Sequence, residues 1–83
     1  MWRPGDIVAV TAAHNLIGTY IPWGAPLAEK ERRLVCLVLA VGSHGYSQST
    51  GFTWEVLLLF DGRPVRRCLS QRAVDKFEVL VAA

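Results

Sequence analysis

Residues 51–62 read GFTWEVLLLFDG and run on through 63–70 as RPVRRCLS, two strand-like segments on either side of an Asp61-Gly62 pair. In the first segment Phe52, Trp54, Val56, Leu58 and Phe60 alternate with Thr53, Glu55, Leu57 and Leu59. Successive side chains of a strand point to opposite faces, so the first set is expected in the core. Asp61-Gly62 supplies the two positive-φ residues that a two-residue type I′ turn requires, and this predicts a hairpin closing between Phe60 and Arg63. Residues 64–69 form the return strand, with Pro64 beside the turn, where a missing backbone donor is tolerated.

Upstream, residues 34–41 are eight consecutive apolar positions, β-branched at Val35, Val38 and Val41, ending at Gly42-Ser43-His44-Gly45. Their length and flanking glycines favour a buried strand over a helix. A first strand is expected at 6–11, after the Pro4-Gly5 turn. Between these strands, residues 12–32 have no regular period and hold Gly18, Pro22, Trp23-Gly24 and Pro26, followed by the charged run 29–33. A loop that long in so small a domain is usually functional. Downstream, 70–75 reads as one turn of 3-10 helix and 77–81 as the last strand. The chain is thus expected to be one all-β domain over 1–83, with five short strands and a long first loop at 12–32.

That order of elements is the order of an SH3-like barrel, and the resemblance extends to sequence. Pro4-Gly5-Asp6-Ile7-Val8, Leu37-Val38-Leu39-Ala40-Val41, Val56-Leu57-Leu58-Leu59-Phe60-Asp61-Gly62 and Phe77-Glu78-Val79-Leu80 resemble the small SH3-like or Tudor-like barrel proteins of tailed bacteriophages. Those share a loose "GD-V", "G-V", "V-FDG" and "LEVL" pattern, which specifies a fold and not a task. The chain departs from that group at Cys36, where a Gly is usual, and in its longer first loop with Tyr20 and Trp23. The "ALYDY"-like motif of peptide-binding signalling SH3 domains is absent, so that activity is not implied.

At 83 residues and 9.2 kDa, the chain is expected to bury about 63% of its unfolded surface, a marginal core. Counted with glycine and without tyrosine, apolar residues come to about 58%, above the usual 45–50%. The surplus points to surface reserved for neighbours. Charged residues are 19%, with a net charge of +2, which argues against disorder and against a strongly electrostatic nucleic-acid binder. No apolar run approaches the length of a membrane span, and Met1 to Asp6 lack the pattern of an export signal. Two cysteines are far too few for a disulfide scaffold, so a reduced compartment is expected.

The reactive residues do not assemble into a recognisable centre. His14, Cys36, His44 and Cys68 lack the short paired spacing of zinc sites, and Cys36 and Cys68 lie on strands that share a neighbour, too far apart for a relaxed disulfide. Ser43-His44 is the sole nucleophile–base pair, and adjacent residues in an extended turn point apart. No enzyme activity, cofactor or metal is expected. The basic residues Arg63, Arg66, Arg67 and Arg72, with Lys76 beyond them, crowd the last third of the chain. With Tyr46 or Phe52 they suggest a nucleic-acid surface, against the plainer reading of a solvated strand face.

The apolar surplus is the stronger sign. Leu57 and Leu59 occupy the face opposite the core set, and Tyr20, Ile21, Pro22, Trp23 and Leu27 occupy a surface loop. That loop is either a lid over an open end of the barrel or a docking arm anchored by Trp23. The expected function is a non-enzymatic interaction or structural module of a phage-type virion or assembly (capsid cement, head or tail accessory), working by protein contacts with copies of itself or a larger shell. Its expected location is the virion or the host cytoplasm, with no membrane partner. The alternative is a small nucleic-acid-binding or host-takeover regulator using Arg63, Arg66, Arg67 and Arg72.

Overall fold

The computed structural model describes residues 1–18, 24–49 and 51–83, apart from the side chains of His44 and Ser47. The elements are β1 (Ile7–Thr11), a 3-10 turn (Ala12–His14), α1 (Leu27–Lys30), β2 (Arg33–Ser47), β3 (Gly51–Phe60), β4 (Arg63–Ser70), α2 (Gln71–Val74) and β5 (Glu78–Val81). The strands form one antiparallel sheet in the order β4-β3-β2-β1-β5. The fold is all-β, as the alternating patterns predict, but the sheet is open. β5 has four residues and pairs with β1, leaving no ladder between β5 and β4 among the described residues.

The β3–β4 hairpin turns where the sequence predicts. Asp61 and Gly62 have φ of 51° and 73°, and Phe60 pairs with Arg63. β2 departs most from expectation. The Gly42 to Gly45 segment, read as a loop, stays in the strand, and pairing continues to Ser47 opposite Gly51. Two register shifts, between Val38 and Ala40 and between Ser43 and Gly45, absorb the bend. Glycine here permits a bulge instead of ending the strand; Gly45 has φ of 146°. Cys36 lies ahead of the first shift, in regular ladder opposite Val8.

The core lies on the sheet's inner face. Val8 and Val10 of β1, Leu34, Cys36 and Val38 of β2, Val56 and Leu58 of β3 and Leu69 of β4 pack with Trp2, Ile17, Val74 and Phe77. Trp2 and Phe77 meet edge to face at 4.8 Å. Trp54 and Phe60 pack on this cluster, but Phe52, assigned to the core from its alternation, is 57% exposed. The extended β2–β3 ribbon carries Phe52 past the edge of the core, where it meets Tyr46 edge to face at 5.3 Å. Residues 70–75 hold a short α-helix, Gln71–Val74, where a 3-10 turn was expected: the Asp75 amide reaches back four residues to the Gln71 carbonyl at 2.9 Å, and the Ser70 hydroxyl caps the turn by accepting the Ala73 amide at 3.2 Å.

Asp6 closes the fold at its margin. Its carboxylate accepts the amides of Ala83 (2.6 Å) and Arg3 (2.9 Å), while its carbonyl accepts Val38 N–H at 2.8 Å. At 6% exposure it is the buried charged residue among those described. The Ala83 amide first, then that of Arg3, holds its pKa below the ordinary 3.8.

Two outcomes follow for stability. No atom lies within 4 Å of a Cβ built on Gly62, so Gly62→Val isolates the cost of positive φ, about 1 kcal/mol or more by urea unfolding. The folded Asp6 pKa is depressed, so its stabilising contribution is complete above pH 3.8 and is lost as pH falls through the folded value. Asp6→Asn is therefore expected to lower the melting temperature at neutral pH, with the gap to wild type closing in strongly acid solution; a constant gap contradicts the assignment.

Candidate contact face

The outer face of the sheet is built by the same alternation that builds the core. Leu58 pairs with Val38 and Val65 on the inner side, so the neighbouring Leu59, Leu37 and Pro64 fall on the outer side. Leu37 is also opposite Ile7, and Ile7 is opposite Val81. Val81, Ile7, Leu37, Leu59 and Pro64 therefore make one apolar row across every strand of the sheet. Four strand spacings give it a width of about 19 Å. Val35 (49% exposed) and Leu39 (38% exposed) flank it on β2, and half-buried Leu57 flanks it on β3. Beside Leu57, the first register shift opens a shallow groove of about 280 Å³ that reaches Ala40 and Arg66.

Charge borders this row at two places. Arg33 reaches across β1 to Glu78, above Ala9, which is buried although it lies outside the core cluster. On the other side, Arg66 Nη1 is 3.2 Å from Glu55 Oε1. Both pairs are solvent-exposed, and such pairs contribute at most about 1 kcal/mol, so their importance lies in the potential they set around the apolar strip.

Leu57 and Leu59 thus lie where the sequence placed them, on the outer face. Leu27 is exposed at the start of α1. Tyr20, Ile21, Pro22 and Trp23 lie outside the described residues. Ile7, Val35, Leu37, Leu39, Pro64 and Val81 were missed by sequence reading, although one signal was available. A strand apolar at eight consecutive positions is apolar on both faces, and 34–41 was read as buried without asking what covers its outer half.

The basic cluster separates. Arg63, Val65, Arg67 and Leu69 share the inner side of β4, whereas Arg66 points outward to Glu55 and Arg72 lies on α2. Arg67 reaches under Gly18: a Cβ built there would lie 1.8 Å from Arg67 Nη2. Its Nε is buried without a partner. Adjacent arginines on a strand cannot make one stripe, which is why contiguity in sequence misleads here.

No group of three His, Cys, Asp or Glu side chains able to hold a metal occurs among the described residues. His14 is exposed in the 3-10 turn, Cys36 is buried in the core and Cys68 is exposed on β4. Both cysteines are free thiols. Comparison of the chain with models of known protein families, with curated proteins and with solved structures finds no match.

Burial pushes the Cys36 thiol up to about 11, so at neutral pH it is protonated as well as covered. A thiol-reactive chromophore is expected to label one cysteine per chain in the folded protein, at Cys68, and two after denaturation. Rapid labelling of Cys36 in the native state contradicts this packing.

Proposed function

We propose that this chain is a non-enzymatic contact module, built as an open SH3-like barrel, that works by packing its outer sheet face against protein. The barrel reading draws support from β5 lying beside β1, from the short helix between β4 and β5, and from β2 dividing its pairing between β1 and β3. The single observation carrying the functional reading is the apolar row Val81, Ile7, Leu37, Leu59 and Pro64, on a face where a free domain of this kind normally alternates to polar residues. Tyr20, Ile21, Pro22, Trp23 and Leu27 enter the proposal on their composition alone. The likeness to the small barrels of tailed bacteriophages favours an accessory role in a virion or its assembly. Nucleic-acid binding has weaker support, because Arg66 is paired with Glu55 and Arg67 is turned inward.

The test is a photo-crosslinking side chain placed at Leu57, or at the exposed Val35, in cells that make the protein. Protein adducts that survive nuclease are expected from both positions. The reading is overturned by their absence, or by nucleic-acid adducts obtained instead from Arg66 and Arg72 positions.

A further inference from the structure

We infer that the free edge of β4 accepts an extended acidic segment of another protein as an added strand. This edge is separate from the outer apolar face, and the inference does not rest on that face being a contact surface.

The hairpin fixes which backbone groups are available. A two-residue type I′ turn is closed by a hydrogen-bonded pair, here Phe60 and Arg63, and bonded and non-bonded pairs then alternate along the antiparallel ladder. Val65 and Arg67 therefore direct their N–H and C=O groups to β3, whereas those of Arg66 and Cys68 point away from it. Pro64 falls in the same phase as Arg66 and Cys68, so its lack of an N–H leaves the β3 ladder whole. β4 ends the sheet, and its pairing with β3 has no register shift. No backbone bond outside the ladder reaches Arg66 or Cys68 among the described residues. Arg63, Pro64, Arg66 and Cys68 are all exposed. The carbonyl of Pro64 and both backbone groups of Arg66 and Cys68 thus present a regular template. At the opposite edge, β5 has four residues, a length that blunts pairing.

Charge selects the occupant. From 63 to 72 the chain carries Arg63, Arg66, Arg67 and Arg72 and no acidic residue. A second β4 laid along this edge would bring arginines together, and like charges opposite one another in a ladder are destabilising, so self-pairing is opposed and an acidic strand is favoured. Arg63, Val65 and Arg67 share the inner side of β4. The matching strand therefore has acidic residues at i and i+4 around an apolar residue at i+2. Arg63 has no ion pair among the described residues, and Arg67 Nε is buried without a hydrogen-bond partner there. A nucleic acid offers the same charge but no ladder to match Arg66 and Cys68, so the edge fits a peptide better.

The probe is a capped peptide, Thr-Glu-Thr-Val-Thr-Glu-Thr, added to the full chain while backbone amide exchange is followed by NMR. At about 1 mM peptide, the Arg66 and Cys68 amides are expected to exchange about fivefold more slowly or better, while the Val65 and Arg67 amides, bonded to β3, are protected with or without it. Methylating the backbone nitrogens of the two threonines beside valine removes the donors aimed at β4 and is expected to abolish the effect. Methylating that of valine, which points away, is expected to leave it. Lysine in place of both glutamates is expected to abolish binding, and Arg63→Glu to weaken it about threefold or more. Cys68→Pro deletes one template donor without touching the β3 ladder, so it is expected to keep the circular dichroism spectrum and lose the peptide; if it fails to fold, the methylated peptides decide alone. Val35→Lys, on the outer face, is expected to change nothing, and failure of the edge leaves the outer-face reading standing. The inference is overturned if Arg66 and Cys68 are already protected in the free protein, or if the peptide leaves their exchange unaltered. It is equally overturned if the two methylated peptides act alike, or if folded Cys68→Pro binds as wild type does. Equal protection by a single-stranded oligonucleotide overturns it in favour of nucleic acid.

Discussion

Leu37 and Val38 are the place where β2 is engaged on both edges at once. Leu37 is opposite both Ile7 and Leu59, and Val38 bonds through its backbone to Gly5 and Asp6 while pairing with Leu58. Before this point β2 belongs to β1, and after it to β3. Strand alternation at a doubly paired position leaves no freedom: one residue must face in and the next out. Val38 is accordingly buried at the centre of the core, and Leu37 is fixed at the centre of the outer row. A slip of one residue would send both apolar sets to the wrong faces, so the core and the contact face are specified by the same register.

That coupling explains what could be seen in the sequence. The Asp61-Gly62 turn, the inward Val56 and Leu58 and the outward Leu57 and Leu59 were legible because a tight hairpin ties local sequence directly to geometry. The extension of β2 to Ser47 was not, since Gly42 and Gly45 carry no local mark that separates a bulge from a loop. Phe52 was misplaced because alternation tells which side a residue faces and says nothing about how far the core extends. The apolar row was hidden for another reason: its members lie on separate strands, and only pairing aligns them.

The arginines show the same limit in reverse. Arg66 and Arg67 are neighbours in sequence and lie on opposite faces, one engaged with Glu55 and the other beneath Gly18. What seemed a basic stripe is divided between the border of an apolar surface and the inner side of β4. The apolar excess in the composition, by contrast, has a definite address on the outer face. On the function proposed for this chain, that outer face is the surface that meets protein.

The most direct measurement of that claim is methyl NMR with a soluble paramagnetic probe, comparing the isolated protein with the protein in an extract of the cells that make it. The account requires the methyls of Val35, Leu37, Leu39 and Leu59 to lose probe-induced relaxation in the extract, while the exposed methyl groups of Leu27 stay accessible and those of Val8 and Leu58 stay protected in both. Equal probe access to Val35, Leu39 and Leu27 in both samples would contradict it.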